Sequence, residues 1–566
     1  MKKNSYTMLI KLGLIALIVF GVIFAVVSMT QKTDGRTDEG VATAAAVKKL
    51  DDLYSKLRVN HLVPKKDASI IIDDGSEDVA VLPDISQHPF VVNPITDNFL
   101  TIYASPQVAG SGANGWLAEV AESFNKLGMS IDGNPVSVGV RSVPSDIGAA
   151  FIYSGKYSPD LFIPQSTLWG DIVISKGVRL ELLAERLAGN VSGVVLSNKK
   201  MEALKANSAA PDGSAVVNSI LGGELVIGYS DALSNTEGLN FVLTALSTFD
   251  AGNPLGETAV AQLKKFQDNV PYVAYDAAQL KASALSGALD GFAGDYHMYA
   301  NAQDLKSSYA FVPYGVRCDQ PAYAVGELTA LKKQIAQAFV DHCQQPDAQK
   351  LATVKGFNGL NEYSNALAMP ENAVIAQAQA TWKKEKNGTR DLTAVFVADV
   401  SGSMEGSPLL KLKASLNRAG SVIGASTNVG FVTFSDEVNI ALPIAKFDQD
   451  QKAYFYNAVR SLWAGGATAM FDSIVVAEKM LMDAQAQNPN TKLILFVLTD
   501  GETNRGYEFK DIENITMALR IPIYTIGYNA AIDVLKQISD INEATTMNAE
   551  TDNVIYKLES LFNAQM

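Results

Sequence analysis

Two short apolar runs constrain this chain more than anything else in it: residues 392–398 (LTAVFVA) and 492–498 (KLILFVL). Neither alternates with polar residues, as a strand with one wet face would. Both faces of such strands must be covered, which is the condition of a mainly parallel sheet packed between helices. The region from residue 99 onward agrees with this. Apolar stretches at 99–103, 136–140, 161–163, 225–228 and 310–313 read as strands, and they alternate with stretches at 115–126, 238–249, 256–268 and 328–342 that read as helices. Alternation of this kind predicts an α/β fold.

The 566 residues are enough for about three or four domains of roughly 150 residues each. Apolar residues make up 48% and charged residues 19%, a globular balance rather than a disordered one. With 46 basic against 60 acidic side chains the net charge is −14, which opposes nucleic-acid binding, and no basic patch offsets it. His61, His88, His297 and His342 are scattered without an HExxH or His-x-His pair, so a histidine-ligated zinc site is not expected. Cys318 and Cys343 are too few for a Cys-rich zinc or iron–sulfur centre, and they either pair or remain free thiols. Tyr296 and His297 read as packing residues. No nucleophile–base–orienter set stands out, so the chain reads as a binding protein and not an enzyme.

Lys2, Lys3 and Lys11 precede residues 12–29, which carry no charge over 18 residues. As a helix that stretch is roughly 27 Å long, close to the ~30 Å hydrocarbon core of a bilayer. Residues 1–30 are therefore expected to be a transmembrane signal anchor, single-pass in the cell membrane; a cleaved signal peptide is the other reading. The basic residues before the span favour C-terminal domains on the extracytoplasmic side. Residues 31–94 gather Asp73, Asp74, Glu77 and Asp78 around Gly75, then Pro83, Pro89 and Pro94. Ala42–Arg58 reads as a short helical, juxtamembrane segment, and the region as a whole as a stalk or linker, or as an extended arm packed on the next domain.

Residues 157–164 (YSPDLFIP), followed by Ser166, Thr167, Leu168 and Trp169, resemble bacterial extracellular solute-binding proteins of the two-lobed periplasmic type. So do residues 228–231 (GYSD) before Ser234, Glu237 and Gly238, and the segments 334–343 and 348–357. The resemblance implies two α/β lobes over residues 95–385 with a small-molecule ligand in the interlobe cleft. In that family loop hydroxyls and N–H groups at helix starts hold the ligand. The candidates here are Ser105, Ser111, Ser145, Ser166, Thr167 and Ser234, the first two in a loop with Gly110 and Gly112 that opens a helix. Helix capping and turn formation are the other reading of each.

The run 392–398 ends in Asp399, with Ser401 and Ser403 close behind and a helix from about residue 409. One carboxylate and two hydroxyls thus stand at the carboxyl end of a strand, where open α/β sheets bind ligands. Gly465, Gly466, Ala467 and Thr468 precede a helix near residue 470 and add a hydroxyl; the run 492–498 leads to Thr499, Asp500, Gly501 and Glu502 and adds a carboxylate. Donors that are all oxygen suit a hard cation.

These loops resemble the metal-ion-dependent adhesion site of von Willebrand factor A domains, and residues 428–435 (NVGFVTFS) and 521–527 (IPIYTIG) match further strands of that family. The resemblance spans residues 390–566 and implies a doubly wound, Rossmann-like domain. Asp399, Ser401, Ser403, Thr468 and Asp500 would coordinate Mg²⁺, with Mn²⁺ or Ca²⁺ as substitutes. A protein partner's acidic side chain would complete the metal shell. Glu502 and Asp472 read as surface or capping residues, or as residues that tune the charge of the metal loops. Trp463 reads as a core residue, with the rim of the binding face as its other reading. The expected function is a membrane-anchored extracytoplasmic binding or adhesion protein, its solute-binding-like domain recognising a ligand or acting as a scaffold. A solute receptor for an ABC-type transporter is the second reading, a metal-dependent enzyme the third.

Overall fold

The computed structural model of the chain describes residues 35–66, 82–207, 210–271, 273–274, 277–364, 372–501, 503–528, 532–540, 544, 546–548, 561–562 and 564–566. The anchor expected at 12–29 lies outside these residues. Among the described residues no helix is long and apolar enough to cross a membrane.

The first sheet contains β2 (Phe90–Val92), β3 (Asn98–Ala104), β4 (Ser130–Ile131), β5 (Asn134–Ser142), β6 (Leu161–Ile163), β7 (Leu180–Ala184) and β13 (Ala322–Val325). Its order is β2-β5-β3-β6-β13-β7, with β4 paired to β5. The second sheet is β10-β9-β11-β8-β12, built from β8 (Val191–Ser197), β9 (Ile227–Ser230), β10 (Val273–Ala274), β11 (Gly291–Asp295) and β12 (Tyr309–Arg317). The chain crosses between these lobes twice, after β7 and after β12. Asp319 ties the crossings together: its Oδ2 accepts from Arg186 Nε at 2.8 Å and Arg317 Nε at 2.7 Å, and its Oδ1 from the Asn190 N–H at 3.0 Å.

A helix clasps the two lobes. We label α2 (Thr167–Ser175) in the first lobe, α3 (Thr236–Phe249) and α4 (Glu257–Asn269) in the second, and α5 (Asn372–Glu385) after both. The last packs against all three of the others. Its Trp382 is fully buried and donates to the Tyr229 hydroxyl at 2.6 Å. One continuous apolar core holds Phe151 and Trp169 of the first lobe with Tyr229, Phe241 and Trp382.

The third sheet explains the two apolar runs. It contains β14 (Leu392–Asp399), β15 (Asn428–Phe434), β16 (Val438–Lys446), β17 (Lys492–Thr499), β18 (Ile523–Gly527) and β19 (Thr546–Asn548), in the order β16-β15-β14-β17-β18-β19. Every residue of β14 is buried. Ala394, Phe396 and Ala398 enter one core while Val395 and Val397 enter another, so alternate side chains of one strand serve the two faces of the sheet. Helices α6 (Ser407–Val422), α7 (Gln449–Arg460), α8 (Met470–Gln487) and α9 (Phe509–Leu519) cover it.

Part of the segment expected as a stalk belongs to this domain instead. Helix α1 (Gly35–Ser55) packs on α8 and α9, burying Ala46 and Leu50, and Tyr507 donates its hydroxyl proton to the Leu53 carbonyl at 3.0 Å. Strand β1 (Val59–His61) then adds to the sheet edge, parallel to β16, with Val59 opposite Val438. The helix read over 42–58 is thus present, but its partners lie hundreds of residues away, which is why the sequence alone places it in a stalk rather than in this domain.

Cys318 and Cys343 are both free and buried. The Cys318 thiol lies 3.2 Å from the Ser192 hydroxyl, whereas Cys343 sits in the core of the first lobe.

Candidate functional site

Adjacent parallel strands put two carboxylates at one sheet edge. β14 and β17 pair in register through Ala398 and Leu498, so the loops carrying Asp399–Ser403 and Asp500 leave side by side. Backbone bonds lace the third loop to the first: Gly465 N–H donates to the Val400 carbonyl at 2.8 Å, and Gly402 N–H to the Gly466 carbonyl at 3.0 Å. Gly466 has φ +89°, and a Cβ there would lie 2.2 Å from Asp436 Oδ2, so only glycine fits. Asn504 holds Thr468 from the other side. Its Oδ1 accepts the Thr468 N–H at 2.9 Å, and its own N–H donates to the Thr468 carbonyl at 3.1 Å.

The structure therefore brings Asp399, Ser401, Ser403, Thr468 and Asp500 onto three laced loops. Ser401 and Ser403 hydroxyls lie 3.1 Å apart. Asp399 Oδ1 accepts the Ser401 N–H at 2.8 Å, and its Oδ2 accepts the Thr499 hydroxyl at 2.6 Å. Burial pushes the Asp399 carboxyl up to about 6, with the charge of Asp500 adding to the same effect. Asp500 Oδ1 is buried and has no hydrogen-bond partner. An orphaned carboxylate oxygen among hydroxyl oxygens is the donor chemistry that a hard cation satisfies, so these residues fit Mg²⁺. Among the described residues no cluster of three or more His, Cys, Asp or Glu could hold a metal. The site has two carboxylates, and its remaining donors are hydroxyls.

Two functional neighbours escaped the sequence reading. Thr499 orients Asp399, and Asn504 fixes Thr468; only their closeness to Asp500 in the sequence marked them. Trp463 is not a core residue: it is 76% exposed beside these loops. Asp472 accepts the Tyr507 N–H at 2.7 Å, a loop-holding role, while Glu502 lies outside the described residues.

Most of the six cleft candidates are engaged in local structure. Ser105 caps a short helix by accepting the Gln107 N–H at 3.2 Å, and Ser145 accepts the Gln165 N–H at 3.0 Å. Ser166 donates to the Arg317 carbonyl at 3.0 Å, and Ser234 to Asp231 Oδ2 at 2.9 Å. Ser111 is exposed and Thr167 half-buried at the start of α2. Through that Arg317 carbonyl, Ser166 bonds the first lobe to β12 of the second, and unforeseen residues also meet between the lobes. Gln107 donates to Asp295 Oδ2 at 2.8 Å, Gln165 donates to Glu237, and Trp169 Nε1 to the Thr236 hydroxyl at 2.8 Å. Burial, and then the charge of Asp295, push the Glu237 carboxyl up to about 8. His297 stacks on Phe357 at 4.1 Å and Tyr296 packs edge-on to Phe311 at 5.6 Å, as packing residues do.

Residues 394–564 match the family model for the von Willebrand factor type A domain, and residues 107–358 match that for the bacterial extracellular solute-binding protein. The chain joins a solute-binding domain to a von Willebrand factor A domain. The A domain has curated relatives in the inter-alpha-trypsin inhibitor heavy chains H3 and H1 of Mesocricetus auratus, 30% and 28% identical over 144 and 151 residues. Those stretches cover 24% and 25% of this chain, and the chain spans 16% of the length of either relative. Among solved structures, a von Willebrand factor type A protein from Catenulispora acidiphila is 17% identical with a TM-score of 0.29, covering 31% of this chain and 42% of its own. The solute-binding domain is similar to the sulfate-binding protein of Mycobacterium tuberculosis (17% identical, TM-score 0.33, 50% of this chain and 90% of that one). It is also similar to a periplasmic thiamin binding protein (14% identical, TM-score 0.37, covering 52% and 99%). Both matched domains are binding types, and the solute-binding family is extracellular.

Proposed function

We propose that this protein is an extracytoplasmic adhesion or binding protein whose A domain engages an acidic group of a protein partner through Mg²⁺. The observation that carries the reading is the buried, unpartnered Asp500 Oδ1 on the same laced loops as Asp399, Ser401, Ser403 and Thr468. When bound, the cation would supply a positive centre for a partner carboxylate. This chain's own loops position the donors: Thr499 and the Ser401 N–H orient Asp399, and Asn504 fixes Thr468. The residues 12–29 would tether the protein to the membrane.

Within this reading the solute-binding domain acts as a scaffold. Helix α5 spans its two lobes, and side chains of those lobes bond directly to one another across the cleft. These contacts favour scaffolding over a receptor that opens and closes for a transporter.

Titration of the full chain with Mn²⁺, followed by electron paramagnetic resonance, tests the metal reading. Wild type should bind one ion at the site and Asp399→Ala none, with unchanged circular dichroism. Equal binding by a folded Asp399→Ala protein would remove the proposal. Carbonate extraction of membranes tests the tether; a chain found wholly in the supernatant would refute it.

A further inference from the structure

A groove of about 790 Å³ opens beside the metal loops of the A domain, within the size range of ligand pockets. Val400, Gly465 and Gly466 line it and belong to the loops that carry Asp399, Ser401 and Thr468, and Ser435 of the neighbouring β15–β16 loop lines it too. Another part of its lining comes from far earlier in the sequence. Leu62 and Val63 follow β1 directly, and the Leu62 N–H donates to the Ile440 carbonyl at 3.0 Å, which fixes the wall to the sheet. Leu62 is 49% exposed, Val63 83% and Trp463 76%, so three large apolar side chains face water around one groove. Apolar surface gathered in this way marks a contact site.

The charges around the groove are unequal. Asp436 pairs with Arg505 at 3.3 Å, and Glu437 with Arg58 at 3.6 Å. Lys66 is held by Asp450 at 2.7 Å. Lys65, on the groove wall, makes no ion pair or hydrogen bond among the described residues. With Asp436 and Glu437 each held in an ion pair, Lys65 is a free positive point on the groove wall, and a cation on the metal loops would add a second.

We propose that this groove seats a short peptide segment of the protein partner that carries two acidic residues with an apolar side chain between them. One carboxylate meets the metal, the apolar side chain packs against Trp463, Leu62 and Val63, and the second carboxylate meets Lys65. The inference rests on the metal reading of the same site and adds the class of partner that the site selects.

The test uses an array of synthetic peptides in which Asp is followed at varied spacing by Leu, Trp or Ala and then by Asp or Lys. The array is probed with the full chain in Mg²⁺ and in EDTA. Asp peptides with an apolar residue should bind in Mg²⁺ about tenfold more tightly than those with Ala, the effect of burying roughly one apolar side chain. Trp463→Ala, and the double variant Leu62→Ser with Val63→Ser, should erase that tenfold preference and keep the weaker Mg²⁺-dependent binding of Asp–Ala peptides. Lys65→Glu should reverse the choice between a second Asp and Lys. Trp116, Trp169 and Trp382 are buried, so iodide quenching of tryptophan fluorescence reports on Trp463, and bound peptide should shield it.

Mn²⁺ binding measured alongside separates the two readings. A protein that binds Mn²⁺ but shows no apolar preference, or none that Trp463→Ala removes, overturns the groove and spares the metal site. A protein that binds no Mn²⁺ overturns both. Mg²⁺-dependent dimerisation with no peptide bound would assign the groove to a second copy of the chain and overturn the proposal as well.

Discussion

Two buried carboxylates in the A domain meet opposite fates. Asp500 stands among hydroxyls on loops that open to solvent, and the proposed cation would resolve its burial. Glu478 is wholly buried on α8, the helix whose Ile474 and Val475 belong to the apolar core. Burial pushes its carboxyl from 4.5 to about 8, against a smaller opposing pull from the Thr516 hydroxyl. The folded protein therefore holds a proton that the unfolded chain releases between these values, and stability falls as pH rises across that interval. Above it the loss is complete. Glu478→Gln cannot ionise, so urea denaturation should find it more stable than wild type by about 2–4 kcal/mol at pH 9, with the gap closing toward pH 5. At the metal loops, Asp399→Ala removes a buried charge that Asp500 repels. Its melting temperature without metal should equal or exceed that of wild type, and it should lose the rise that Mg²⁺ gives wild type.

At the scale of elements, β14 and β17 were legible because a strand buried on both faces cannot hide its composition, and because each leads directly to a carboxylate, Asp399 or Asp500. The site followed from them: all five candidate metal ligands lie on loops that these strands and α8 position. Helix α1 was legible as a helix from residue 42 onward, but its place in the A domain was not. Nothing near Ala46 or Leu50 in sequence announces the surface that covers them, which is supplied by α8 and α9. Trp463 misled because tryptophans are usually covered, and its exposure is decided by the groove. If α1 is integral to the A domain, Leu50→Ala should cost about 2–4 kcal/mol of that domain's stability. Hydrogen exchange should then show faster exchange in β16 and α8 while the solute-binding sheets stay protected. Unchanged exchange in α8 would mean that α1 is a passive appendage.

For the whole molecule, the decisive element is α5, whose Trp382 joins a core shared by both lobes. Two lobes were expected from the resemblance of residues 95–385 to two-lobed solute-binding proteins. The sequence could not show that the lobes are clasped, because that depends on side chains from four separate segments meeting. Trp382→Ala should cost about 3–5 kcal/mol and broaden the small-angle scattering profile as the lobes gain freedom. A profile identical to wild type would mean that the remaining interlobe bonds suffice. The arm formed by α1 and β1 has a further consequence, for synthesis. It emerges early, yet the Thr43 hydroxyl donates to the carbonyl of Ala518, 475 residues later, and Val59 pairs with Val438. Until the last third of the polypeptide is made, the arm has no surface to fold onto, and its apolar side chains wait in water while the solute-binding domain assembles. Long-range closure of this kind is slow and leaves intermediates open to aggregation. A nascent chain halted before residue 392 should therefore need a chaperone at its beginning rather than at its most recently made end.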